Sequence, residues 1–217
     1  MLAYLCWGLF AVIAVADWFA VGTGDRRTEA VVKPAALLAL TTAALAGGAA
    51  EEPAGLWLVG ALLLGTVGDV LLLESSERRF LGGLSAFLVG HLAYVVSFAL
   101  LGLSASWWLA GGVVALALSG LVAQRVLLAT WTAGGPALAV PVALYTAVIG
   151  AMLVTGFATE QPLVAAGATV FVVSDTVLAL DRFARPARWR DPVPHVVVMV
   201  TYHLGQALIV LGVLAAL

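Results

Sequence analysis

Three acids interrupt runs of residues that are otherwise apolar: Asp17 in AVADWFAV, Asp69 in TVGDVLLL and Asp175 in VVSDTVLAL. A carboxylate at bilayer depth costs roughly 2.5–3.5 kcal/mol on insertion scales, and acids retained there mark proton transfer, ion passage or substrate handling. Counting back from the apolar run ends, Asp69 falls about four residues, and Asp17 and Asp175 about five, before the same edge of the membrane. At ~1.5 Å of rise per residue, that is roughly 6–8 Å inside it. Acids at one depth imply a shared polar cavity. Other polar side chains point to the same place. Phe87, His91 and Tyr94 share a helical face at i, i+4, i+7, with Gly83 and Gly90 beside them. His195, Met199, Tyr202 and Gln206 share another, and His203 points about 100° away from Tyr202. Asp17, beside the belt-type residue Trp18, reads equally as an interfacial group or a functional one. His195, next to Pro194, reads as interfacial, His203 as an interhelical donor, and Tyr145 as packing.

The elements that position these groups follow from composition. The chain has 217 residues, 63% of them hydrophobic and 10% charged, with a mean hydropathy of +1.11. A soluble domain of this size cannot hide so much apolar surface. Taking about 20 mainly apolar residues per crossing, the sequence predicts an all-α polytopic helical bundle as one membrane domain over 1–217. Its eight spans are approximately 2–22, 34–50, 55–73, 80–101, 105–123, 136–157, 162–180 and 195–216. GTGDRR, EEPA, ESSERR, TAGGP, TEQP and RPARWRDPVP separate them. The apolar runs are continuous, which excludes the alternation of a membrane β-barrel.

All ten basic residues fall after odd-numbered spans: Arg26, Arg27 and Lys33, then Arg78 and Arg79, then Arg125, then Arg182, Arg185, Arg188 and Arg190. The positive-inside rule then puts both termini on the non-cytoplasmic side of a cell (inner) membrane. The start MLAYLCWGLF lacks a basic n-region, so the first span is expected to be retained. The net charge of −2, without a basic patch, gives no sign of nucleic acid, and the lone Cys6 excludes an intramolecular disulfide. GDVLLL and SDTVLAL, each followed by a basic loop and a span carrying His and Tyr, suggest a possible 4+4 internal repeat with a site between the halves.

Lys33-Pro34, Gly68-Asp69 with Leu71 and Leu72, and the series Phe80, Gly83, Leu84, Phe87, His91, Tyr94 together resemble the YhhN family of lysoplasmalogenase-like membrane proteins. Ser174-Asp175, Leu178-Ala179, Phe183, Tyr202 and Gln206 continue the resemblance, which runs from the second span to the eighth. It implies an eight-span hydrolase that cleaves the vinyl ether bond of lysoplasmalogen. The products are a fatty aldehyde and glycerophosphoethanolamine or glycerophosphocholine. It implies Asp69 and Asp175 as catalytic acids, and Lys33, His91, Tyr94, Ser174, Tyr202 and Gln206 as residues lining the site, with no metal and no cofactor. Asp17 lies outside these motifs. The implied partners are the lysophospholipid and membrane lipids; oligomeric state is not readable.

The chemistry suits paired carboxyls. Protonation of the alkene carbon gives an oxocarbenium ion that water captures, so one carboxyl must be protonated and another ionised. Lys33, Arg78 or Arg79 at the mouth is expected to hold the phosphate, with the single chain in the apolar lumen. A proton- or ion-coupled small-molecule or lipid transporter is the alternative from another class. A zinc-dependent intramembrane hydrolase would need converging histidines, and a purely structural membrane protein would leave the acids idle.

Overall fold

In the computed structural model, which describes residues 1–74, 76–185 and 189–217 together with all side chains there but those of 118, 119 and 121, the chain is a bundle of α-helices. The elements are α1 (Leu2–Thr23), α2 (Arg26–Ala46), a short 3-10 turn (Ala49–Glu51), α3 (Pro53–Leu72), α4 (Glu77–Leu100), α5 (Ala105–Ala158), α6 (Pro162–Phe183) and α7 (Val193–Ala216). Among the described residues, seven helices are long and apolar enough to cross a membrane.

The fifth and sixth expected spans are both found in α5. Its 54 residues would extend about 80 Å if straight, against a hydrocarbon core of roughly 30 Å. The helix breaks at Gly135, whose φ of 57° and ψ of −150° lie outside the helical region, followed by Pro136. The TAGGP stretch, expected as a loop, is therefore a one-residue break. The arms fold back on each other: the backbone N–H of Ser104 donates to the carbonyl of Ala158 at 2.8 Å. A Cβ on Gly111 would stand 2.9 Å from Val154 Cα. Counting the two arms of this hairpin separately, the described residues form eight long helical segments. α1 and α7 run antiparallel, since Gly22 lies against Val196 and Phe10 against His203, so Leu2 and Ala216 lie at the same end.

The second expected span, 34–50, is displaced. Gly24 closes α1 at φ 72°, and Asp25 at once caps α2, accepting from the amides of Arg27 and Thr28 at 3.2 Å each. The Thr28 hydroxyl and amide hydrogen bonds hold the Asp25 carboxyl below its ordinary range. The helix therefore starts eight residues before the apolar run, and Lys33, expected at the mouth, is buried inside it. α6 likewise runs to Phe183, taking in Arg182. Arg188 of the last basic loop lies outside the described residues.

α7 is central, packing on α1, α2, α3 and α6. Its contact with α6 is at backbone distance. A Cβ on Gly167 would stand 2.7 Å from Ile209 N, and one on Gly212 2.6 Å from Val164 N. Only residues without a side chain permit this approach, a common device where lipid removes the hydrophobic drive between helices. α3 and α4 use it too: a Cβ on Gly68 would be 2.6 Å from the Phe87 ring, and one on Gly83 3.3 Å from the Gly68 carbonyl.

Candidate active site

A cavity of about 580 Å³ opens at the end of the bundle that carries the α1–α2 and α6–α7 connections. Asp69 and Asp175 both line it, with Lys33, Ser174 and Tyr202. Asp69 stands three residues before the end of α3 and is 1% exposed. Lys33 Nζ from α2 lies 3.6 Å from its Oδ1, and the Tyr202 hydroxyl from α7 donates to its Oδ2 at 2.9 Å. Gly65 makes room for this meeting. A Cβ there would crowd Leu37 at 3.0 Å and stand 3.4 Å from the Tyr202 oxygen.

Asp175 faces the cavity from α6 and accepts from the hydroxyl of Tyr145. Tyr145 also lines the cavity, so its reading as a packing residue is corrected. Its phenol is the lone polar aromatic group of an apolar arm, and such a group, when buried, takes a hydrogen-bond partner from another helix. Each carboxylate thus comes from one helix and its tyrosine from another.

Three of the expected lining residues sit one layer behind the wall. Tyr94 donates to Gln206 Oε1, and Gln206 Nε2 lies over Gly65 next to Tyr202. The layer thus backs the tyrosine that holds Asp69. His91 is enclosed by Phe171 and Tyr145, with ring centroids at 4.9 and 5.3 Å. Both its nitrogens lack hydrogen-bond partners among the described residues. Ser174 lines the cavity, but its hydroxyl donates to the Val198 carbonyl at 2.8 Å and so ties α6 to α7.

Asp17 and Trp18 depart from the interfacial reading. Asp17 is 0% exposed, with neither carboxylate oxygen hydrogen-bonded among the described residues. The Trp18 indole donates to His203 Nδ1 at 3.0 Å, facing α7. Because α2 starts early, the end of α1 is covered where open interface was expected. His195 stands half exposed at the mouth, with Nε2 3.6 Å from Asp181 Oδ2 and Nδ1 3.6 Å from Asp191 Oδ1. The three histidines thus have separate surroundings.

Neither Arg78 nor Arg79 lines the cavity. Arg79 is exposed and pairs with Glu74 at 3.0 Å. The mouth instead carries Arg26, Glu29, Asp181 and Arg182. The sequence sign of Arg182 was its spacing of seven from Asp175, masked because the apolar run stops at Leu180.

The match to the YhhN family model spans residues 28–213, from within α2 to within α7, and takes in Lys33, Asp69, Tyr145, Asp175, Arg182 and Tyr202. The chain belongs to the YhhN family. Curated relatives include a human protein named lysoplasmalogenase TMEM86B, 35% identical over 72% of this chain and 63% of its own length. A Mycobacterium tuberculosis protein named lysoplasmalogenase is 30% identical over 85% of this chain and 74% of its own. The bovine lysoplasmalogenase TMEM86A is 31% identical over 70% and 62%. The chain spans less than two thirds of the mammalian relatives it matches. No solved structure matches this YhhN chain.

Proposed function

We propose that this YhhN protein is a lysoplasmalogenase-type ether hydrolase. Lysoplasmalogen is split at its vinyl ether bond into a fatty aldehyde and glycerophosphoethanolamine or glycerophosphocholine. One observation carries the reading. Two carboxylates from different helices line a single largely apolar cavity at one end of a membrane bundle, each accepting from a tyrosine of a third and fourth helix. The names of the relatives point the same way.

The two carboxylates are not equivalent. Asp69 has an ammonium at 3.6 Å and a phenol donor, the surroundings of an ionised group. Asp175 has a phenol and, among the described residues, no cation within ion-pair distance; it is the proton donor. Its proton goes to the outer alkene carbon, and the adjoining ether carbon becomes an oxocarbenium centre. Asp69 stabilises that positive charge and takes a proton from the water that attacks it. The resulting hemiacetal collapses, its hydroxyl proton passing to the departing glycerol oxygen as the aldehyde forms. Return of the proton from Asp69 to Asp175 resets the pair. Preformed carboxylate and phenol dipoles at a developing cation act with little reorganisation. Tyr94, Gln206 and His91 form the packed support behind.

The purified protein in detergent is expected to release free aldehyde and a water-soluble glycerophospho-headgroup in equal amounts from lysoplasmalogen. Folded protein that releases neither would end this reading.

For orientation, we propose that the mouth faces the cytoplasm and that both termini lie outside the cell membrane, a reading that the basic loops at the cavity end support. A cysteine at Ser76, in the short α3–α4 connection, is expected to react with an impermeant thiol reagent only after the membrane is opened. Labelling in intact cells would reverse the topology.

A further inference from the structure

Two arginines of the mouth, Arg26 and Arg182, have no ion pair among the described residues, and of these Arg182 is seated on an aromatic ring. Its guanidinium carbon lies 3.7 Å from the centroid of the Phe80 ring. Phe80 is itself buried and meets Phe183 edge to face, with ring centroids 5.8 Å apart. A guanidinium lying flat on a ring is held by cation–π attraction while its N–H edge stays available. Among the described residues Arg182 has no ion pair and no side-chain hydrogen bond, whereas Arg79 and Arg185 are both paired with acids. Arg182 also lines the cavity that holds Asp175.

The register of α6 gives this arginine a distance. Seven residues bring a helix back to within about 20° of the same face, so Arg182 stands over Asp175, ~10 Å farther along the axis toward the mouth. In a lysolipid with a vinyl ether at the first glycerol position, seven bonds separate phosphorus from the alkene carbon that is protonated. At roughly 1.2 Å of advance per bond in an extended chain, that is ~8 Å. The two spans agree to within the reach of the side chains. Val172, Leu178 and Ala179 also line the cavity, so apolar side chains lie along α6 between the carboxylate and the guanidinium, with Thr176 beside the first and Asp181 beside the second.

We infer that Arg182 binds the phosphate of the substrate headgroup and sets the reacting carbon at the depth of Asp175, which makes the substrate a phosphate-bearing single-chain ether lipid and not the corresponding neutral alkenylglycerol. This inference deepens the hydrolase reading and rests on it for the identity of the reacting bond. The phosphate subsite itself is testable without turnover.

The test uses full-length protein in detergent and two ligands with saturated ether chains that cannot be hydrolysed: a 1-alkyl lysophosphoethanolamine and a 1-alkylglycerol of equal chain length. The wild-type protein is expected to bind the phosphate ligand at least ~10-fold more tightly, as a charge-assisted bidentate contact provides. Arg182→Gln is expected to weaken the phosphate ligand by ~10- to 100-fold and to leave the alkylglycerol unchanged, which also reports that the variant is folded. Arg182→Lys, which keeps the charge and loses the flat fork, is expected to fall between. A preference that survives Arg182→Gln, or an equal loss for both ligands, overturns the assignment. So does displacement of the lysolipid by millimolar inorganic phosphate, which would make the place a free-anion site without the spacing. A parallel aldehyde assay with the two vinyl ether counterparts separates the two readings. If the wild type cleaves neither while the binding contrast holds, the hydrolase reading falls and the phosphate subsite stands.

Discussion

Asp175→Asn is expected to lower aldehyde release per folded molecule by about 10²–10⁴-fold, the usual contribution of a positioned proton donor, while the protein inserts and unfolds as the wild type does. The amide keeps the volume and can still accept from Tyr145, so the packing between α5 and α6 is preserved. What it cannot do is deliver a proton to carbon. Asp69→Asn is expected to lose as much activity by a different route. The amide leaves the developing oxocarbenium without its counter-charge and the attacking water without a base. Asp17→Asn is the comparison: it removes a carboxylate as buried as Asp69 that does not line the cavity, and its activity should stay close to wild type. The measurement is aldehyde formed per mole of monodisperse protein after size exclusion. Near wild-type turnover in Asp175→Asn would show that its carboxyl is structural and that protonation comes from elsewhere.

The acids were legible because the bilayer makes them conspicuous. A carboxylate in an apolar run needs no structural context to stand out, and Asp69 and Asp175 do line one cavity. Helical periodicity also grouped Tyr202 with Gln206 and His91 with Tyr94, but it could not tell the wall of a cavity from the layer behind it. That distinction depends on how closely α3, α4 and α7 approach, which Gly65, Gly68 and Gly83 decide through contacts between helices. Helix ends were the other blind spot. Hydropathy marks where the bilayer ends, whereas Asp25 and its hydrogen bonds mark where α2 begins, and the eight residues between hold Lys33. The same error at α6 hid the alignment of Arg182 with Asp175. Tyr145 carried a weaker sign, a phenol without a partner on its own arm. The break at Gly135 was expected as a loop because Gly and Pro punctuate the sequence there, and one residue of positive φ proves sufficient to fold α5 into its two arms.

Lys33→Met should reveal whether the ammonium beside Asp69 is part of the fold or only of the chemistry. Both side chains are at least nine-tenths buried, and Nζ is 3.6 Å from the carboxylate. Removing one partner of a buried ion pair leaves the other charged and desolvated, at a cost of about 3–5 kcal/mol. Lys33→Met is therefore expected to lower the unfolding free energy in detergent by that order, and Asp69→Asn, which strands the lysine, to do the same. Asp175→Asn has no such cost, because no cation depends on it. The double variant Lys33→Met/Asp69→Asn removes both charges, and the amide can still accept from the Tyr202 hydroxyl that now donates to Asp69. Its stability should recover most of what either single change loses, since a buried pair replaced by neutral groups of similar volume is often neutral in its net effect. Its activity should stay as low as that of Asp69→Asn. Recovery of stability without recovery of turnover would assign the ion pair to the fold and the lone carboxylate to the reaction. If the double variant is no more stable than the single ones, the two groups are not coupled, and the ammonium cannot be what keeps Asp69 ionised for catalysis.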